Sequence, residues 1–252
     1  MFADTHAHLY SEYYDNIDFV INDANNRGIK YIINAGIDAN SNREVLELSS
    51  KYPNLYCVLG VHPEDVDTYY DADLQYIIDN LNNPKVIGIG EIGLDYYYTK
   101  ENKEKQKEIF CKQLEVAEKY NLPVVVHSRE ATQDTIECLK KYKVKGVIHA
   151  FSGSLDTAKI YIKMGFKLGV GGVVTFKNSK LKEVFKEVDI NNILFETDSP
   201  YLSPEPLRGR VNNPGNVDHI VKFISELKNV SVEELSKVSM NSVRDVFDKM
   251  HI

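Results

Sequence analysis

The sequence has little of several features that would assign it to a specialised class of protein. Its 252 residues include only three cysteines, Cys57, Cys111 and Cys138, and no C-x-x-C pair. This composition favours neither a disulfide framework nor a cysteine-type zinc site. No apolar run approaches the roughly 18 residues that span a membrane, and the N-terminus has neither a basic region nor an apolar signal segment. We expect a cytoplasmic protein without a membrane partner.

Basic residues are also too few to form a large positive surface. The 30 Lys and Arg residues are outnumbered by 37 Asp and Glu, which gives a formal net charge of −7. Extended binding to duplex nucleic acid or to acidic membranes is therefore not expected. Brief contact with a nucleic acid at a local site is compatible with this net charge. No linker, repeat or low-complexity block divides the chain. The sequence predicts one domain, residues 1–252.

The order of apolar runs predicts the fold. Short runs rich in β-branched residues alternate with longer stretches of helical spacing, such as 101–120, where apolar positions and Gln113 recur every three or four residues. Strands are predicted at 2–6, 30–35, 55–61, 86–90, 123–127, 146–150, 166–170 and 193–197. Repeated strand–helix units are typical of an α/β (β/α)8 TIM barrel, with a doubly wound open sheet as the alternative. An extra C-terminal helix is predicted from a capping box at Ser231 and Glu234.

Side chains of the types that bind metals recur at the ends of these predicted strands. They are His6, His8, Glu91, His127, His149 and Asp198. Residues two apart in a strand point to the same side, so His6 and His8 can face the barrel mouth together. Each residue alone has an ordinary explanation, such as a core histidine or a turn-capping aspartate. Their recurrence at equivalent positions predicts a shared metal site.

Three further residues are candidates for substrate binding. His62 ends the third predicted strand, and Arg129 and Arg208 have guanidinium groups that can hold a phosphate at two points. Aromatic residues could offer stacking faces for bases, although packing is their ordinary role in a chain with 16 Tyr residues; they are Tyr96, Tyr97, Tyr98, Phe151 and Tyr201. His219 and His251 are expected at the surface.

The motifs around these residues together resemble those of the TatD family, metal-dependent deoxyribonucleases among the amidohydrolase-like TIM-barrel hydrolases. The matching segments are Asp4-Thr5-His6-Ala7-His8, Gly60-Val61-His62-Pro63, Gly90-Glu91-Ile92-Gly93-Leu94-Asp95, His127-Ser128-Arg129, His149-Ala150-Phe151-Ser152-Gly153 and Thr197-Asp198-Ser199-Pro200-Tyr201. The resemblance runs from residue 4 to about residue 217. It implies two divalent ions, one held by His6, His8 and Asp198. The other would be held by His127 and His149, with Glu91 bridging both.

The resemblance also implies an activity. We expect a hydrolase that cleaves DNA phosphodiester bonds, as a 3′–5′ exonuclease preferring single strands, with Glu91 and Asp198 in catalytic positions. Asp198 would accept the proton of the attacking water, which two divalent ions activate. Four histidines and two carboxylates suit Zn²⁺ or Mn²⁺, while Mg²⁺ prefers oxygen ligands but is usual for the family, so all three remain open. DNA would be a transient partner of a monomer.

Two other functions fit the same residues. A two-metal barrel could hydrolyse an amide or ester, or deacylate an aminoacyl-tRNA, because the same ligand set serves carbonyl and phosphorus centres. The phosphate-binding candidates Arg129 and Arg208 separate this alternative from a nuclease. The second alternative is a non-catalytic metal-binding scaffold, which the presence of all six ligand-type residues does not favour.

Overall fold

Eight parallel strands form a nearly closed barrel in the computed structural model of the chain, which describes residues 1–98 and 100–250. The strands are β1 (Phe2–Ala7), β2 (Ile29–Ala35), β3 (Leu55–Leu59), β4 (Val86–Asp95), β5 (Val124–Arg129), β6 (Gly146–Ile148), β7 (Phe166–Val170) and β8 (Ile193–Phe195). They pair in chain order from β1 to β8. This order confirms the predicted TIM barrel, and the doubly wound alternative is wrong.

The helices follow the strands in regular alternation. They are α1 (Ile17–Asn26), α2 (Ala39–Lys51), α3 (Asp71–Asn80), α4 (Lys103–Tyr120), α5 (Thr132–Leu139), α6 (Leu155–Lys163), α7 (Leu181–Glu187), α8 (Val217–Lys228) and α9 (Val232–Val246). Strand β4 runs five residues beyond its predicted end at 90, so Glu91 lies within a strand rather than at its end. The difference arises because Gly90 lies in a register shift between Ile89 and Ile92, after which the pairing of β4 with β5 resumes and includes Gly93.

The extra C-terminal helix closes the end of the barrel that lies away from the predicted site. Ser231 begins α9 by accepting a hydrogen bond from the N–H of Glu234 at 3.1 Å. Apolar side chains of α9, including Met240, Val243 and Val246, pack with the residues that fill the barrel interior. Burial of this apolar surface favours the docked position of α9 and leaves the opposite, carboxyl-terminal mouth of the barrel open to a ligand.

The barrel closes between β1 and β8. Ala7 of β1 forms a parallel bridge with Ser199, in the segment that follows β8. The N–H of His8 donates to the carbonyl oxygen of Ser199 at 2.7 Å, and the N–H of Asp198 donates to that of His6 at 2.9 Å. Closure of the barrel therefore brings two predicted metal ligands of β1 beside the one that follows β8.

Two further expectations concern the surface. Among the helices of the described residues, none combines the length and the apolar character needed to cross a membrane. His219 is only partly exposed and lies 3.7 Å from a carboxylate oxygen of Asp218, so the expectation of a surface position holds in part. His251 lies outside the described residues.

Candidate metal centre

The six predicted metal ligands meet at the carboxyl-terminal mouth of the barrel. Their side-chain donor atoms fall into overlapping groups of three, and within each group the atoms lie no more than 4.8 Å apart. The groups are His6 with His149 and Asp198; His6 with His8 and Glu91; and His62 with Glu91 and His127. Neutral imidazole and carboxylate are donors for divalent metals, so the residues present fit a metal centre.

Glu91 lies between two sets of histidines. Its Oε2 atom is 3.2 Å from His6 Nε2 and 3.5 Å from His8 Nε2. Its Oε1 atom is 2.8 Å from His149 Nε2 and 2.9 Å from His127 Nδ1. The two carboxylate oxygens thus face different sets of imidazoles, which is the arrangement that a carboxylate bridging two ions requires.

Asp198 belongs to the set that contains His6 and His8. Its Oδ1 atom lies 3.4 Å from His8 Nε2 and 3.7 Å from His6 Nε2. The residue has a left-handed backbone with φ of 55°, a conformation that aspartate tolerates better than most residues. Asp198 is therefore positioned by a strained turn rather than by a regular strand, which is common at functional sites.

His62, a predicted substrate-binding residue, faces the cluster of metal ligands directly. Its Nε2 atom is 3.4 Å from Glu91 Oε1, and its ring centroid is 4.5 Å from that of His127. Its Nδ1 atom accepts the N–H of Glu64 at 3.2 Å, which directs Nε2 into the site. His62 can thus contribute a donor to an ion beside His127 as well as contact a substrate.

Two carboxylates that the sequence analysis did not single out support the histidines. Asp95 Oδ2 accepts the N–H of His127 Nε2 at 2.9 Å, and Glu196 Oε1 lies 3.4 Å from His149 Nδ1. Such partners fix the ring orientation of a metal-ligating histidine. A sequence signal existed, because Asp95 ends the strand that carries Glu91 and Glu196 stands two residues before Asp198.

The electrostatics of the cluster keep its carboxylates ionised. Burial alone would raise the pKa of Glu91, but His149, His6 and His62 lower it well below its usual value. The pKa of His149 is raised well above the ordinary value because Glu91 and Glu196 outweigh the opposing effect of burial. Protons on histidine thus balance the buried negative charge without metal, and a divalent cation can replace them.

His6 has the properties of a neutral ligand. Burial and the neighbouring His149 lower its pKa, and the two rings stack with centroids 3.9 Å apart. Its buried Nδ1 atom has no hydrogen-bond partner among the described residues. The other ring nitrogen, Nε2, lies 3.2 Å from Glu91 Oε2 and 3.7 Å from Asp198 Oδ1, so an uncharged His6 can offer its Nε2 lone pair to a metal beside these carboxylates.

Buried carboxamide side chains hold the strand ends that carry the site. Each one both accepts from the N–H and donates to the C=O of a single residue, as a neighbouring strand would do. Gln113 of α4, for example, binds the N–H and C=O of Val61 at 2.8 and 3.1 Å. The pairs are Asn34 with Leu9, Asn42 with Gly60, Gln106 with Asp95, and Gln113 with Val61. These bonds satisfy backbone groups where strand pairing ends at the mouth.

The two predicted phosphate-binding arginines occupy different places. Arg129 lines a cavity of about 740 Å³ above the histidines. Its guanidinium carbon lies 4.0 Å from the ring centroid of Tyr97 and 4.7 Å from that of Tyr98. Arg208 lies over the ring of Phe176 at 4.4 Å, and within the described residues it is not part of the cavity lining. The geometry brings Arg129 to the site, whereas a substrate contact for Arg208 stays a prediction.

Comparison with known proteins places this site in a family. A family model described as TatD related DNase matches residues 3–248. The metal-dependent hydrolase YabD of Bacillus subtilis is 38% identical over 252 residues, which cover 98% of this chain and 99% of YabD. The metal-dependent hydrolase YcfH of Escherichia coli is 34% identical over 254 residues, which cover 97% of this chain and 95% of YcfH.

Solved structures agree with the sequence relatives. The crystal structure of YjjV, a TatD homologue from Escherichia coli, has a TM-score of 0.93 at 30% identity and covers 98% of each chain. A TatD-family hydrolase from Entamoeba histolytica has a TM-score of 0.89 at 25% identity, covering 99% of this chain and 98% of that one. With a matching family model, relatives above 30% identity and a cluster of donor side chains able to hold metal, the chain belongs to the TatD family of metal-dependent hydrolases.

Proposed function

We propose that the chain hydrolyses phosphodiester bonds of DNA, as a 3′–5′ exonuclease that acts on single strands and uses two divalent ions. The two-ion proposal depends on the position of the Glu91 carboxylate. Its Oε2 atom faces His6 and His8, and its Oε1 atom faces His127 and His149. The choice of DNA is supported by the description of the matching family model, TatD related DNase, and by Arg129 at the mouth of the cavity.

The ligands divide between two half-sites. His6, His8 and Asp198 would hold one ion, and His127 and His149 would hold the other, with His62 beside them. Glu91 would bridge the two ions. Bound divalent ions of this kind lower the pKa of a water molecule and stabilise the negative charge that develops on a phosphoryl group. The mixed nitrogen and oxygen donors are suited to Zn²⁺ or Mn²⁺, with Mg²⁺ as a further candidate.

The chain's own groups supply the proton transfer and the grip on the phosphate. Although burial would raise the pKa of Asp198, its hydrogen bond to His8 and the charge of His149 lower it, so the carboxylate is ionised and can accept a proton. Arg129 would bind the phosphate, oriented by its contacts with two tyrosine rings. A chain with net charge −7 has no extended basic surface to hold a long stretch of DNA. A transient contact between a monomer and the end of a DNA strand suits this charge.

The test is hydrolysis of a 5′-labelled single-stranded DNA oligonucleotide by the metal-reconstituted protein. The wild type should give a ladder of products shortened from the 3′ end. Asp198→Asn should give none while retaining the wild-type circular dichroism spectrum. Asp245→Asn, which changes an exposed carboxylate on α9, is the matched control and should behave as wild type.

Two results would contradict the proposal. Full turnover by a folded Asp198→Asn protein would remove Asp198 from the proton transfer. Intact DNA in the presence of a fully metal-loaded wild type would remove the nuclease activity, and amides, esters and acylated tRNA would then be tested as substrates. Absence of hydrolysis with every one of these substrates would favour the alternative of a non-catalytic metal-binding scaffold.

A further inference from the structure

We propose that Tyr201, positioned by Tyr13, is the surface on which the base of an unpaired 3′-terminal nucleotide stacks. The ligand class is thus a single-stranded nucleic acid end, selected by its exposed base rather than by sequence. This inference rests on the proposed nuclease function and adds a subsite to it. The supporting observations are the position of Tyr201, its exposure, its fixed orientation and the chemistry of the opposite wall.

Tyr201 lies next to the proposed proton acceptor. Its N–H donates to the carbonyl oxygen of Asp198 at 2.9 Å, and its own carbonyl oxygen accepts from Asn212 Nδ2 at 2.7 Å. The ring lines the same cavity as the histidines, and its centroid is 6.2 Å from that of His8. A planar group bound against Tyr201 would therefore sit beside the reacting bond.

Tyr201 is exposed although it borders a largely buried cluster. Its exposed fraction is 48%, and that of the adjacent Leu202, which also lines the cavity, is 42%. Apolar surface left open at a binding cavity is characteristic of a ligand contact. Tyr97 and Tyr98 are more exposed, at 52% and 59%, but Arg129 packs over their rings. Tyr201 is the better candidate for a base because no cation packs over its ring among the described residues.

The orientation of the Tyr201 ring is fixed before any ligand binds. Its hydroxyl group is 2.9 Å from that of Tyr13, and the two rings make an edge contact with centroids 5.9 Å apart. Tyr13 in turn stacks on the buried Tyr10 with centroids 5.7 Å apart. Such a preorganised aromatic surface loses little conformational freedom when a ligand stacks on it.

The two walls of the cavity have complementary chemistry. Arg129, at the end of β5, can bind a phosphate, and Tyr201, in the segment that follows β8, offers an uncharged aromatic face. Stacking tolerates any base because every base has a π face, whereas bases inside a duplex already stack on their neighbours and cannot use the site without unpairing. A nucleotide end needs both walls, so their pairing favours a single-stranded end over a small amide or ester.

The test compares two oligonucleotides that differ only in the 3′-terminal residue, which carries adenine in one and no base in the other. The wild type should cleave the adenine-terminated strand with the higher kcat/KM. Tyr201→Leu, which keeps an apolar side chain but removes the ring, should lower kcat/KM on that strand by roughly 5- to 150-fold, mainly through KM. The loss on the base-free strand should be much smaller.

Two further variants separate stacking from fold. Tyr201→Phe keeps the ring and should retain most of the preference for adenine, although it loses the contact with the Tyr13 hydroxyl. Tyr120→Leu changes an exposed tyrosine at the end of α4 and should match the wild type on both strands. An equal loss on both strands for Tyr201→Leu would overturn the stacking proposal.

Binding measurements distinguish failure of the subsite from failure of the nuclease. Fluorescence anisotropy would follow both labelled oligonucleotides on Asp198→Asn, with and without Tyr201→Leu, at equal measured metal content. If the wild type cleaves no DNA but binding depends on both adenine and Tyr201, the stacking subsite is supported and the proposed nuclease activity is overturned. Cleavage by a wild type that shows no preference for the terminal base would overturn the subsite alone.

Discussion

Asp95 offers the sharpest test of how the metal centre is organised. Its Oδ2 atom accepts the Nε2–H of His127 at 2.9 Å, and its Oδ1 atom accepts the backbone N–H groups of Tyr97 and Tyr98 at 2.8 and 3.0 Å. Burial would raise the pKa of Asp95, but the hydrogen bonds from His127 and the backbone lower it. An ionised Asp95 only accepts hydrogen bonds, so when an ion replaces the proton between His127 Nδ1 and Glu91, His127 would keep its hydrogen on Nε2 and offer the Nδ1 lone pair to that ion.

Asp95→Asn should reverse this arrangement with almost no change in shape. The amide oxygen would keep the two backbone N–H groups, which leaves the NH₂ group facing His127 Nε2. Two donors cannot pair, so the hydrogen would move to Nδ1 and occupy the lone pair that the ion needs. Loss of such a partner typically weakens metal binding about 10- to 100-fold, or about 1.4–2.7 kcal/mol. Only the ion beside His127 should be affected.

The assay is a Zn²⁺ titration of metal-free protein against a competing chromophoric chelator, with metal content after desalting measured by mass spectrometry. Wild type should bind two equivalents, and Asp95→Asn should bind one with unchanged affinity and one more weakly. Asp245→Asn serves again as the control that should not differ from wild type. Unchanged affinity for both equivalents in Asp95→Asn would refute the assignment of the His127 tautomer and its proposed position beside an ion.

The remaining predictions concern stability and pH. Gln113→Leu leaves the buried N–H and C=O of Val61 unpaired and should lower the free energy of unfolding by about 2–4 kcal/mol, whereas the exposed Gln133→Leu should change it by less than about 0.5 kcal/mol in urea denaturation. Chelator treatment should lower the melting temperature, since a ligand at 100 times its Kd stabilises a fold by about 2.7 kcal/mol. Metal must displace the proton held by His149. Burial would lower the pKa of His149, but Glu91 and Glu196 raise it. Apparent metal affinity should therefore rise with pH through neutrality, and calorimetry in two buffers should detect proton release; a pH-independent affinity would contradict this.

The fold and the cluster of six ligand-type residues could be predicted because both depend on short-range patterns. Alternating strands and helices specify the barrel, and parallel strands bring their carboxyl ends to one mouth. Side chains at those ends must then converge, however far apart they lie in sequence. The extent of β4 was predicted less well, because its glycines weaken the strand pattern, whereas the pairing with β5 resumes at Ile92 after a register shift.

The contacts that support the metal ligands could not be predicted because they depend on how elements far apart in the sequence align with one another. Helical spacing placed Gln113 on the buried face of α4, but not against Val61, which lies 52 positions away. The direction of His62 likewise follows from a local hydrogen bond to Glu64 after a strand end, where periodicity no longer applies. Arg208 was a candidate for phosphate binding on residue type alone. In the structure its guanidinium group lies over the ring of Phe176.

The two half-sites differ in how they depend on the barrel. His127 and His149 lie on or directly after β5 and β6, adjacent strands joined by three paired residues. His6, His8 and Asp198 instead span the junction of β1 and β8, where the described strands meet through one bridge, between Ala7 and Ser199. An ion held there would link the two ends of the sheet at its weakest junction. Assembly of that half-site and closure of the barrel are thus the same event, because the N–H of Asp198 reaches the carbonyl oxygen of His6 only when the barrel is closed.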